Sequence, residues 1–146
     1  MSDELKTQRT RAIADALSIG QLERHVLLCA QQKNPRCCSY EESTRVWKYL
    51  KTRLKELGLA SAPPPWQGQD TDTPPPPTTA GNGRVLRTKV DCLRICEAGP
   101  IAVIYPDGVW YHSVDEQVME RIIQEHLIGG TAVEEYVFAR DRLANR

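Results

Sequence analysis

The order of elements along the chain predicts a small α/β protein: a two-layer sandwich with a small mixed sheet and two main helices. Three observations carry this reading. Short apolar runs bounded by turn residues alternate with stretches of helical spacing. One Pro-rich segment divides the chain. The length of 146 residues suits one domain with room for an insertion.

The elements follow in order. Residues 1–20 form an N-terminal extension. Asp3 to Leu17 reads as a short amphipathic helix through Ala12, Ile13, Ala16 and Leu17, too polar to stand without packing on something. The main domain is expected over 21–138. It opens with a strand, His25 to Cys29, and a loop to Cys38. The helix Tyr40 to Leu57 follows, with Val46, Trp47, Leu50, Leu54 and Leu57 on one stripe. Ser39 with Glu42 makes a capping box, and Gly58 suits the helix end.

Seven of the ten prolines lie between Pro63 and Pro77. Proline fixes φ and donates no backbone hydrogen bond, so residues 60–83 read as an extended, solvated linker without chemistry of its own. Trp66 is the oddity there: an exposed residue by chance, or a pin that holds the loop to the surface. After the linker come a strand over Arg84 to Asp91, a Cys-bearing loop, and Gly99-Pro100. The strand Ile101 to Tyr105 and its hairpin partner Val109 to His112 are joined by Pro106-Asp107-Gly108. Ser113 with Glu116 is the expected cap of a last helix, which runs to about Ile128 and stops at Gly129-Gly130. Residues 139–146 are a C-terminal tail.

Composition excludes several classes. Lys+Arg and Asp+Glu balance at 19 each, so nothing draws the chain to nucleic acid. No apolar run reaches membrane-spanning length. The polar, acid-bearing first twenty residues fit neither a secretory signal nor a transit peptide, so a cytoplasmic location is expected. Charge is unevenly placed: residues 21–59 carry eight Lys/Arg against four Glu, which reads first as a solvated basic face and alternatively as steering toward an acidic redox partner. No Ser-His-Asp set, phosphate-binding loop, dinucleotide motif or paired carboxylates appear.

Five cysteines in a cytoplasmic chain call for an explanation other than disulfides. Cys29 closes the first strand, and Cys37 and Cys38 lie just before the first main helix. Cys92 and Cys96 occupy the loop after the strand that follows the linker. If the two Cys-bearing strands are neighbours, both loops open at one edge and four thiolates can converge. Burying like charges together is costly unless a metal compensates them. Spacing alone leaves three chemistries open: an iron–sulfur site, structural zinc, and buried or redox-active thiols. The gaps match neither common ferredoxin spacing, and only Cys92–Cys96 suits a zinc pair. The absence of a C-x-x-C motif weighs against a thiol enzyme.

The sequence resembles the thioredoxin-like [2Fe–2S] ferredoxins of bacteria. The matching text is His25-Val-Leu-Leu-Cys29, Cys38-Ser-Tyr-Glu-Glu-Ser43, Cys92-Leu-Arg-Ile-Cys96-Glu-Ala-Gly99-Pro100, Tyr105-Pro-Asp-Gly-Val-Trp-Tyr111 and Ile122-Ile-Gln-Glu-His126-Leu-Ile-Gly-Gly130. The resemblance implies a thioredoxin-like fold and one [2Fe–2S] cluster. It implies a one-electron carrier that is not an enzyme, a reductase or oxidoreductase as redox partner, and a homodimer. The ligands it implies are Cys29, Cys38, Cys92 and Cys96. Within the doublet, Cys38 has the matching distance to the helix and to Ser43, and Cys37 is held in reserve. The rival readings are a thioredoxin-like thiol redox protein and a zinc-stabilised interaction module. His25, His112 and His126 sit within or beside regular elements and are read as structural or surface residues.

Overall fold

The structure, a computed structural model, describes residues 2–69 and 71–144. Met1 of the extension, Asp70 of the linker and residues 145–146 of the tail lie outside the described residues. The elements are α1 (Asp3–Ala16), β1 (Arg24–Cys29), α2 (Tyr40–Glu56), β2 (Val85–Val90), β3 (Ala102–Tyr105), β4 (Val109–Tyr111), α3 (Glu116–Arg121) and β5 (Val137–Arg140). They build the α/β sandwich with a mixed sheet that the sequence predicts, in the strand order β2-β1-β3-β4-β5. Among the described residues only β1 and β2 run parallel. Among the described residues no helix is long and apolar enough to cross a membrane.

The two-residue period of the strands sorts their side chains between two faces. Val26, Leu28, Ala102, Ile104, Val109 and Tyr111 lie on one face, and all are buried. The apolar stripe of α2, through Val46, Trp47, Leu50 and Leu54, packs on that face. Val118, Met119, Ile122, Ile123 and Leu127 of the last helix complete the core. Each of these large side chains contributes about 1.5–3 kcal/mol when removed from water. The other face carries His25, Leu27, Leu86, Thr88 and Trp110 half-buried, with Phe138 40% exposed at its margin.

Three features differ from expectation. The cap of α3 is Asp115, whose carboxylate accepts from Val118 N at 2.8 Å, and not Ser113. Ser113 lies in the left-handed region, with φ 55°, and forms the turn into the helix instead. After Arg121 the helix widens over Ile122–Ile128 before Gly129. A fifth strand, β5, pairs antiparallel with β4.

The linker also departs from a solvated coil. Trp66 is buried, and its indole N–H donates to Thr78 Oγ1 at 3.2 Å. The Arg9 guanidinium of α1 lies 4.8 Å over the Trp66 ring and donates to the Thr73 carbonyl at 2.9 Å. Gly81 N donates to Asp15 O at 2.9 Å, and the Ser18 and Ser61 hydroxyls are 2.6 Å apart. The N-terminal helix and the Pro-rich loop therefore supply each other's packing surface. This is how a marginal 14-residue helix persists.

Glu120 ties α2 to α3. It accepts from Tyr49 at 2.6 Å and from Arg53 Nε at 2.8 Å. The Arg53 hydrogen bond, against some opposing burial, holds its carboxyl down to about 2. A carboxyl lowered on folding stabilises the protein above its ordinary value of 4.5, and that stabilisation fades as the pH falls towards 2. Glu120→Gln is expected to cost about 1 kcal/mol at pH 7 and to flatten the loss of stability between these limits. Urea denaturation at several pH values measures both effects.

Candidate metal centre

β1 and β2 pair in parallel register, with Arg24 opposite Val85 and Cys29 opposite Val90. Both strands therefore end at the same edge of the sheet, and the chain leaves each one into a Cys-bearing loop. Backbone hydrogen bonds continue past the strands: Ala30 N donates to Val90 O at 3.1 Å, and Cys29 N to Ile101 O at 3.0 Å. The loops are tied directly as well. Lys33 N donates to Asp91 Oδ1 at 2.6 Å, and Gly99 N donates to Cys37 O at 2.9 Å.

All five cysteines are free thiols, and they form a trio and a pair. Cys37 Sγ lies 3.8 Å from Cys29 Sγ and 3.6 Å from Cys38 Sγ. Across the gap, Cys92 Sγ and Cys96 Sγ are 3.9 Å apart. A cleft between the loops is lined by Cys29, Cys37, Cys92 and Cys96, with Gln32, Arg36 and other loop residues. Cys38 reaches the trio through Cys37 and Gln32, beside the N-terminus of α2, where Ser39 accepts from Glu42 N. Cys29 is buried, Cys92 is exposed, and the others lie between.

The surroundings oppose bare thiolates at the first loop. Burial and then the adjacent Cys29 push the Cys37 thiol well above its ordinary range. Burial also raises Cys38, partly offset by hydrogen bonds from Cys37 and Gln32. Three thiolates packed so closely are stable only when a cation neutralises them. The Arg94 backbone N–H donates to Cys92 Sγ at 3.2 Å. Positive φ at Arg94, Cys96 and Ala98 curls the second loop around its sulfurs. Gly99 provides the close approach of the two loops: a methyl group there would sit 2.5 Å from Cys37 Sγ. The donor set is all sulfur, and among the described residues no group of three His, Cys, Asp or Glu side chains suits a single metal ion. A trio facing a pair fits a two-iron group, which offers each side its own iron.

The histidines lie elsewhere. His126 is buried at the far end of β1, 2.8 Å from the Tyr111 hydroxyl and 2.5 Å from Asp107. Asp107 also accepts from Arg24 at 3.0 Å, and Tyr111 accepts from Val133 N at 3.0 Å. Burial lowers His126 despite the Asp107 partner and pushes Tyr111 up to about 12. This network locks the hairpin turn to the last helix. His25 bonds Thr88 at 2.7 Å, and His112 bonds Ser113 at 2.8 Å. Sequence pattern does not single out Gln32, buried against the sulfurs, or its buried partner Ser43 as site residues.

A mixed sheet with a parallel β1–β2 pair, helices on one face and Cys loops at one edge defines a thioredoxin-like protein. Solved structures agree. A thioredoxin-like [2Fe-2S] ferredoxin from Aquifex aeolicus superposes with a TM-score of 0.59 at 24% identity, covering 86% of this chain and 98% of that one. A second structure, of the wild-type Aquifex protein, gives 0.57 at 26% identity over 82% and 99% of the two chains. In sequence, a stretch of 55 residues is 40% identical to "Ferredoxin, 2Fe-2S" of Aquifex aeolicus (strain VF5), covering 38% of this chain and 50% of the relative. A "Putative 2Fe-2S ferredoxin" of Priestia megaterium is 29% identical over 118 residues, covering 81% of this chain and 72% of the relative. A Clostridium pasteurianum "Ferredoxin, 2Fe-2S" is 38% identical over 52 residues, 36% of this chain and 51% of the relative. The chain thus spans about half the length of the Aquifex and Clostridium relatives it matches. No family model matches. In sequence and in fold, this chain resembles the thioredoxin-like [2Fe–2S] ferredoxins.

Gly99→Ala is expected to destabilise the protein by about 1–3 kcal/mol by forcing the two Cys loops apart. An unchanged urea midpoint would show that the loops do not need this contact.

Proposed function

We propose that the protein is a one-electron carrier holding a single [2Fe–2S] cluster and turning over no substrate of its own. One observation carries the reading: two loops from parallel neighbouring strands bring the free thiols of Cys29, Cys37, Cys92 and Cys96 to one cleft, with Cys38 against Cys37. The ferredoxin names of the relatives support it. When held, the cluster supplies a one-electron couple between two oxidation states. The residues of the chain bind it, shield it and orient it towards a partner.

The proposed ligands are Cys29, Cys38, Cys92 and Cys96. Cys38 is favoured by its place beside the N-terminus of α2, where the helix dipole stabilises negative sulfur, and by its spacing to Ser43. Cys37 is the second reading, because its 3.8 Å distance to Cys29 parallels the 3.9 Å Cys92–Cys96 pair. The exposed Lys33, Arg36 and Arg94 near the cysteines, with exposed Tyr40 and Ile95, suit a redox partner with an acidic docking face. The half-buried sheet face with Leu27, Leu86 and Trp110 suits a second copy of the chain. Free cysteines throughout accord with the reducing cytoplasm.

Protein purified without oxygen is expected to be reddish-brown and to contain equal iron and inorganic sulfide. Cys38→Ser is expected to lose or alter the cluster absorption, and Cys37→Ser to keep it. The reverse pattern moves the ligand to Cys37. Colourless protein containing zinc identifies the interaction module, and metal-free protein whose cysteines alkylate rapidly identifies the thiol redox protein.

A further inference from the structure

Gln32 is 4% exposed, and its side chain points into the sulfur trio. Its amide nitrogen lies 3.4 Å from Cys29 Sγ, 3.4 Å from Cys37 Sγ and 3.8 Å from Cys38 Sγ. The carbonyl Cys29 O is also within 3.4 Å. The amide oxygen accepts from the Ser43 hydroxyl at 3.0 Å, and Ser43 is fully buried in the first turn of α2. Ser43 Oγ in turn accepts from Gln31 N at 3.1 Å. Tyr40 O lies 3.0 Å from the same hydroxyl, so Ser43 anchors the amide and the sulfurs decide which end faces them. Liganding thiolates accept hydrogen bonds and cannot donate, so only the NH2 end can meet them without repulsion. Turning the amide over would set its carbonyl oxygen against electron-rich sulfur.

On the reading that this site holds a [2Fe–2S] cluster, we propose that Gln32, held by Ser43, is a positioning residue that sets the reduction potential and orders the Cys29–Cys38 side of the site. The relevant event is uptake of one electron from a one-electron reductant, with no bond made or broken. Reduction adds negative charge to the sulfurs and strengthens every N–H bond aimed at them. A fixed donor therefore favours the reduced state and raises the potential. Backbone donors come with any loop of this shape. Gln32 is a side-chain donor with its own orienting partner, and it is replaceable without altering the backbone. The sulfurs within reach of its amide nitrogen are those of Cys29, Cys37 and Cys38, so it acts on one side of the site.

The test uses the full chain purified with its cluster. Iron and sulfide content is measured first, and the midpoint potential is then found by dithionite titration followed by EPR. Gln32→Leu keeps the volume and removes the donor. Its potential is expected to fall by about one decade in the reduction equilibrium, or about 59 mV for one electron. Ser43→Ala removes the hydroxyl that anchors the amide and is expected to shift the potential in the same direction by less. Gln32→Glu places a carboxylate oxygen against the sulfurs and is expected to give the lowest potential of the set. Pulsed EPR of wild-type protein carrying 15N in its glutamine side chains is expected to show a nitrogen coupling that Gln32→Leu lacks. If Gln32→Leu fails to assemble its cluster, Ser43→Ala and the nitrogen coupling still decide. A full cluster with unmoved potentials and no glutamine coupling overturns the role of Gln32 alone. Wild-type protein without iron and sulfide overturns the cluster reading and this inference with it.

Discussion

Parallel pairing of β1 with β2 is the constraint on which the rest of the structure depends. Antiparallel neighbours would send their following loops to opposite edges and part the cysteines by the length of the sheet. The parallel register places Cys29 opposite Val90, two residues before Cys92. That pairing needs a crossover, and α2 with the linker supplies it. The core on the α2 side then serves the site. Val26 and Leu28 lock β1 into the buried layer, and alternation along the strand directs Cys29 away from that layer, at the strand end.

The site is built from groups whose separate placement is unfavourable. Crowded thiols resist ionisation, as Cys37 shows, and the second loop adopts left-handed backbone at Arg94, Cys96 and Ala98. Binding iron would relieve the first cost directly and hold the second in place, so fold and cofactor stabilise one another. The polar locks at the other end of the sheet serve a different purpose. Asp107, His126, Tyr111 and Arg24 close the β3–β4 turn against the last helix, far from the sulfurs. One end of the sandwich is thus a rigid anchor, and the other end is where the Cys loops meet.

Much of this was legible in the sequence. The stripe of α2, its Ser39 cap, the β3–β4 turn at Asp107-Gly108 and the placing of each cysteine at a strand end or in the loop after one follow from local chemistry and periodicity. What was not legible depends on contacts between distant residues. Val137–Arg140 is too short to announce a strand, and it forms one because β4 offers an open edge. Trp66 is readable as a pin for the loop, but the surface that receives it, Arg9 of α1, lies more than fifty residues away. Ser113 and Asp115 both suit a helix cap, and the left-handed turn at Ser113 decides between them. Gln32 lies in an irregular loop where no period applies, and only the folded position of Ser43 reveals its aim.

The central claim is that sulfurs from two loops hold a pair of irons. Iron K-edge X-ray absorption of the anaerobically purified protein tests it most directly. The account predicts a first shell made of sulfur alone and a short iron–iron vector beyond it. A shell containing nitrogen or oxygen ligands, or iron without a second iron nearby, would contradict it.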